Sequence, residues 1–360
     1  MKNPWRYAIA LLPILFYLLI TDITTPESAQ MTYISNPDLL TVKDDSAWKG
    51  TPMDGSGKFV NLDEPFKSSF KDLLKWQLST NPQKADKKSE TRVPMVEDGR
   101  NVLAGDKDFI MWLGHATYLI RANGKVIITD PLLFDSFFLK RDHPLPIAIE
   151  HFPAIDFLLL SHNHRDHCDQ KSIKHLAQHN PEMQILTGLG IESVISSWIN
   201  GNQVQEAGWY QQFGETSGIE ITYVPARHWS KRWLNDDNTS LWGGFYIRYG
   251  TETIYFMGDS GKGRHFEDIK ATLGSPNYCL MGIGAFKPEW FMHQGHISPK
   301  DAIAAFNSIG GNYFIPMHFG TFDLSDEPRM EPLDIVVKNR NEIQGTFVDP
   351  VVGRNLMFNE

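Results

Sequence analysis

Apolar positions first run unbroken from Tyr7 to Ile20, YAIALLPILFYLLI, behind Lys2 and Arg6. A helix of that length reaches about 21 Å, short of the ~30 Å hydrocarbon layer, and Pro13 would kink it. The pattern predicts a signal peptide or an uncleaved membrane anchor over residues 1–29 rather than a full span. Either case exports the remaining chain to the cell envelope. Residues 30–100 change character repeatedly. A turn-rich stretch, Gly50–Gly57, precedes Phe66–Leu78, where Phe66, Phe70, Leu73, Leu74 and Leu78 recur at helical spacing. Polar and charged residues 81–100 predict an exposed connector, so 30–100 is expected to be an N-terminal extension and linker.

From residue 101 the pattern becomes strands ending in loops, and 101–360 is expected to be the main globular domain. Short β-branched or aromatic runs predict strands at Phe109–Leu113, Tyr118–Ile120 and Lys125–Thr129. Ile155–Leu160 has the apolar continuity of a strand buried on both faces. Further strands are expected at Ile219–Val224, Leu241–Tyr249, Thr253–Met257 and Tyr313–Met317. Helices are expected at Gln170–Gln178, Ile191–Ile199 and Pro299–Asn307, the last capped by Ser298. Interleaved strands and helices predict an α/β domain.

Composition narrows the chemistry. Against 34 Lys and Arg stand 43 Asp and Glu, a net charge of −9 that argues against a nucleic-acid partner. Two cysteines provide neither a disulfide framework nor a four-cysteine zinc module, whereas the 13 histidines point to imidazole chemistry. The histidines concentrate directly after the strand Ile155–Leu160, in Ser161-His162-Asn163-His164-Arg165-Asp166-His167. Residues two apart on a strand end share a side, so His162 and His164 can grip one ion. Asp166 and His167 fall where the chain turns, within reach of a second. A divalent cation satisfies such crowded imidazoles and carboxylates together.

More donors follow later strands: His228 after Ile219–Val224, Asp259 after Ile254–Met257 and His318 after Tyr313–Met317. Open α/β sheets collect their ligands at those carboxyl ends. His143, His151, His175, His179 and His265 read as surface or packed histidines, and His293 as a surface residue. His115 and Asp130 read either as residues that orient ligands or as plain packing. Cys168 and Cys279 are expected neither to bind metal nor to pair. A donor set of nitrogen and oxygen without thiolate suits zinc, with iron or manganese also compatible.

The H-x-H-x-D-H motif with distant His, Asp and His resembles the metallo-β-lactamase-fold hydrolases. Its closer likeness is to the N-acyl-phosphatidylethanolamine-hydrolysing phospholipase D family. Trp112–Thr117, His228–Arg232, Trp290–Met292 and His318–Phe322 carry that likeness, within residues 59 to 325. The resemblance implies a four-layer αββα metallo-β-lactamase sandwich with an N-terminal extension, holding two zinc ions. His162, His164 and His228 would hold the first ion, and Asp166, His167 and His318 the second, with Asp259 bridging. Asp259 and His296 would be the catalytic residues, His296 near the reacting phosphate. The activity implied is phosphodiester hydrolysis of a phospholipid at a membrane surface, by attack of hydroxide on phosphorus, in a possible homodimer. The alternatives are a lactonase or small-phosphoester hydrolase on the same scaffold, and a non-catalytic metal-binding envelope protein.

Overall fold

The computed structural model describes residues 31–63, 65, 70–136, 139–214 and 216–357. The expected signal or anchor over 1–29 lies outside the described residues, as does the start of the expected Phe66–Leu78 helix. Among the described residues no helix is long and apolar enough to cross a membrane.

Two mixed sheets form the centre. One runs Phe109–Gly114, Thr117–Ala122, Lys125–Thr129, Phe157–Leu160, Gln184–Gly188 and Val204–Ala207 in spatial order. It is antiparallel over its first three strands and parallel from Lys125–Thr129 onward. The second holds eight strands, from Thr346–Phe347 through Tyr313–Met317, Tyr278–Gly282, Glu252–Phe256, Gly244–Tyr249, Glu220–Val224 and Gln211–Gln212 to Leu40–Thr41.

The pleat explains the layers. Along Phe157–Leu160, Phe157 and Leu159 point into the core shared by the two sheets. Leu158 and Leu160 point the other way, onto Ile173, Leu176 and Ala177 of the helix Gln170–His179. Burying each of these leucines stabilises the fold by about 1.5–3 kcal/mol. On the outer face of the larger sheet, helices His265–Leu273 and Pro299–Ile309 pack together. They reach the sheet through Phe266 against Tyr255 and Phe306 against Phe314. The order is helix, sheet, sheet, helix, the sandwich expected from the resemblance.

Local chemistry sets the ends of the helices. Ser298 accepts from Asp301 N, Pro299 occupies the first turn, and Gly310 closes Pro299–Ile309 at φ 74°. Asp169 caps Gln170–His179 by accepting from Ser172 N at 2.8 Å. Other expectations need correction. The helix expected over Ile191–Ile199 spans Glu192–Ile195 and has no side-chain cap. The strand expected over Leu241–Tyr249 begins at Gly244. Leu241 N and Gly243 N instead donate to Leu189 O and Ser161 O, stitching the two sheets together near the rim.

The N-terminal stretch is also more engaged than its polarity suggested. Leu40–Thr41 forms the edge of the larger sheet. Lys84–Ser89 is a short helix without buried residues, yet Lys87 reaches Asp323 and Ser325. Val96 bridges to Val352.

Candidate metal centre

Strand ends converge at one rim of the sandwich. His115 follows Phe109–Gly114, Asp130 follows Lys125–Thr129, and His318 follows Tyr313–Met317, each as the first residue past its strand. All three have left-handed backbones, with φ of 56°, 33° and 64°. Non-glycine residues carry a conformational cost there, and such strain concentrates at functional sites. The strained turns swing these side chains across the rim towards the loop 161–168.

The side chains expected to act together lie in two touching groups. In the first, His164 Nδ1 is 2.9 Å from His162 Nε2 and 3.1 Å from His228 Nε2. Asp259 Oδ2 stands 3.9 Å from both His162 Nε2 and His228 Nε2. In the second, His167 Nε2 is 3.2 Å from His318 Nε2 and 3.4 Å from Asp166 Oδ2. Asp259 reaches this group too, its Oδ2 3.1 Å from His167 Nε2 and its Oδ1 3.1 Å from His318 Nε2. His296 lies one step outside, with Nδ1 3.7 Å from Asp259 Oδ2.

Outer partners decide which nitrogens face inward. Ser161 donates its hydroxyl to Asp130 Oδ2 at 2.5 Å and so accepts from His162 Nδ1 at 2.9 Å. His228 Nδ1 donates to Gly295 O, and His167 Nδ1 to Asp130 Oδ2, both at 2.8 Å. The Nε2 lone pairs of His162, His228 and His167 therefore face the Asp166 and Asp259 carboxylates. Acceptors crowded together out of water need a cation between them, and this nitrogen and oxygen set fits a divalent metal.

Charge states agree. Burial pushes the His162 and His228 rings well below the usual imidazole range, and the other histidines add to it. Burial pushes His164 down to about 4. Burial also opposes ionisation of Asp166 and Asp259, but His167 and its neighbours hold both carboxyls well below their ordinary value. Neutral rings and ionised carboxylates are the states that bind metal. His167 goes the other way: burial disfavours a proton there, yet Asp259 and Asp166 draw one. Positive charge is wanted at that spot.

His115 and Asp130 act on these side chains rather than filling core. His115 Nε2 lies 3.1 Å from Asp166 Oδ2, and Asp130 holds both Ser161 and His167. Asn61 was missed as a site residue. It donates to His228 O at 3.0 Å and accepts from His228 N at 3.1 Å, so the N-terminal stretch supports the rim. No spacing rule links a lone asparagine to a histidine that far along the chain. The remaining histidines stand apart. His143 bonds Thr321, His265 bonds Ser260, His175 and His179 stack on a surface helix, and exposed His293 bonds Glu289 O. Cys168 and Cys279 are buried and free.

Beside His296 opens a groove of about 690 Å³. Phe286, Ile297, Ala304 and Ala305 line it together with charges of both signs, Arg227, Lys262 and Arg264 beside Asp63, Glu267, Glu289 and Asp301.

Residues 126–319 match the family model described as a beta-lactamase superfamily domain. The chain is 33% identical over 243 residues to N-acyl-phosphatidylethanolamine-hydrolyzing phospholipase D 1 of Caenorhabditis elegans, covering 63% of this chain and 68% of that one. It is 28% identical to a metal-dependent hydrolase of Metallosphaera sedula, over 63% of this chain and 89% of the other. Among solved structures, a metallo hydrolase of Ignicoccus hospitalis superposes with a TM-score of 0.55 at 18% identity, over 70% of this chain and 99% of that one.

Proposed function

The chain is a metal-dependent hydrolase of the beta-lactamase superfamily, and from that premise we propose that it cleaves a phosphodiester bond in an amphiphilic lipid. N-acyl-phosphatidylethanolamine is the substrate we favour, by a reaction in which water cleaves the P–O bond to the ethanolamine oxygen, releasing an N-acylethanolamine and leaving phosphatidic acid. The observation that carries this reading is the groove beside His296, which brings apolar side chains such as Phe286 and Ile297 and the cations Arg227, Lys262 and Arg264 next to the polar cluster. Its volume suits a ligand or chain segment of moderate size. The likeness to the nematode phospholipase adds support.

In this reading His162, His164 and His228 would hold one zinc ion and Asp166, His167 and His318 a second, with Asp259 available to both groups. Zinc held there would supply Lewis acidity towards water and a phosphoryl oxygen. The chain supplies the rest. Asp130 and Ser161 keep His167 and His162 in the tautomers that face inward, and His115 steadies Asp166. His296 stands between the cluster and the groove, where its ring N–H can reach a phosphoryl or leaving oxygen. Phe286, Ile297 and Ala305 exclude water from the apolar part of the substrate.

The same reading places the domain at a membrane surface outside the cytoplasm. Exposed Leu73, Leu78 and Trp290 support it, as does the apolar run Tyr7–Ile20. The test offers metal-loaded protein N-acyl-phosphatidylethanolamine, phosphatidylcholine, a lactone and a soluble phosphodiester in parallel. Turnover of the N-acyl lipid above the others is expected. Turnover of the lactone alone would remove the phospholipase reading, and no turnover with metal bound would favour a binding protein.

A further inference from the structure

A guanidinium stands behind the candidate metal loop without a carboxylate partner among the described residues. Arg232 is 8% exposed. Its Nη1 lies 3.1 Å from the Asn163 carbonyl and 2.8 Å from the Cys168 carbonyl. Those two carbonyls bracket the stretch His164–His167. That stretch is a tight turn closed on the His164 carbonyl, which accepts from His167 N at 3.1 Å and Cys168 N at 2.8 Å. The buried Asn163 side-chain amide makes no hydrogen bond to the turn.

The arginine is itself held on several sides. The Trp198 ring lies 4.7 Å from its guanidinium. Its backbone N–H donates to Asp236 at 3.0 Å, and its carbonyl accepts from Arg165 Nη2, also at 3.0 Å. Arg232 sits four residues after His228. One side chain therefore ties the loop that presents His228 to the turn that presents His164, Asp166 and His167. Burying a charge with no carboxylate in direct contact is costly. A planar guanidinium can stack and still donate in plane, whereas an ammonium has no plane to fix its direction.

We propose that Arg232 is a positioning residue that sets the shape of the 164–167 turn and locks it to the His228 loop, giving the metal ligands their spacing before any ion arrives. The proposal rests on the reading that this cluster holds divalent metal, and the experiment separates the two. R232K and R232M are compared with the parent by Zn²⁺ competition against a chromophoric chelator, by the visible spectrum of the Co²⁺-loaded forms, and by urea unfolding of the metal-free proteins.

R232K is expected to bind Zn²⁺ about tenfold or more weakly, the range seen when residues supporting ligands are changed. Its Co²⁺ bands should shift, its metal-free unfolding midpoint should stay near the parent's, and R232M should lose at least as much affinity. Parental Zn²⁺ affinity and Co²⁺ bands in R232K would overturn the positioning role while leaving the metal centre standing. An R232K protein that fails to fold without metal would overturn it as well, since the residue would then be part of the scaffold. A parent that binds no divalent metal would overturn both readings.

Discussion

His167 Nδ1 lies 2.8 Å from Asp130 Oδ2, with both side chains fully out of solvent. The same carboxylate accepts from Ser161 N at 2.7 Å and from Ser161 Oγ at 2.5 Å. Three donors thus meet two oxygens. Asp130→Asn keeps the shape but turns one acceptor into a donor that faces donors. Zn²⁺ affinity should fall about 10–100-fold, and metal-free stability by about 1–3 kcal/mol. Chelator competition and urea unfolding measure the two, and parental affinity in D130N would show that His167 needs no such partner.

Asp259 separates the metal reading from a merely structural one. Its two oxygens touch both groups, and its carboxylate is the charge on which His167, His318 and His296 converge. Asp259→Asn should lower kcat by a factor of about a thousand or more, the scale of losing a group that places charge at the reacting centre. The far-ultraviolet circular dichroism should stay at the parental shape, because Asp259 lies past its strand rather than in the core. A variant that keeps its rate would remove Asp259 from the centre.

The site was legible where its residues are close in sequence or share a position at a strand end. His162 to His167 follow one apolar strand, so strand geometry alone put His162 and His164 on one side. His228, Asp259 and His318 could be grouped because each ends an apolar run. Asn61 and Arg232 follow no such rule. They act on the backbone of residues presented by other loops, and backbone contacts leave no mark in side-chain spacing. The fold behaved similarly. Long periodic elements such as Pro299–Ile309 were readable. Short strands such as Gln184–Gly188 and Val204–Ala207 went unassigned, because a few residues in a parallel ladder carry too little pattern to distinguish from a loop. Leu241–Gly243 looked like strand because it is apolar, but its hydrogen bonds go to the other sheet.

Acid should destabilise the metal-free protein partly through His265, which is outside the metal cluster and packs against Phe266 and against Ser260, the residue after Asp259. Burial pushes its ring down to about 3, whereas an unfolded chain titrates near 6.5. Between those values the unfolded state carries the extra proton. Stability from this group is therefore complete above about pH 6.5 and is lost as pH falls towards 3, with a slope of at most about 1.4 kcal/mol per pH unit. In His265→Gln that share of the slope should vanish. Urea unfolding at several pH values between 4 and 7, compared with the parent, isolates it from the metal ligands, which titrate in both proteins. Identical slopes would mean that His265 takes up its proton without cost.

Gly284 lies at the end of Tyr278–Gly282, beside the strand that presents His318. A Cβ added there would fall on the His318 carbonyl, a backbone atom that no rotamer change can move aside. His318 is already held in a left-handed conformation and donates its N–H to His115 O at 3.1 Å. Relief of the clash must then shift His318 and, through it, the contact with Asp259. Gly284→Ala should cost about 1–3 kcal/mol of stability as an overpacked site. On the proposed two-zinc reading it should also lose metal preferentially from the group containing His167 and His318, so that its bound Zn²⁺ falls below the parental content. Gly105→Ala is the control, because a Cβ there meets nothing nearer than Lys107 N at 3.9 Å. Elemental analysis after dialysis reads the stoichiometry, and unfolding midpoints read the strain. If G284A retains the parental metal content while losing stability, the strain is absorbed by the 283–286 loop and His318 keeps its place.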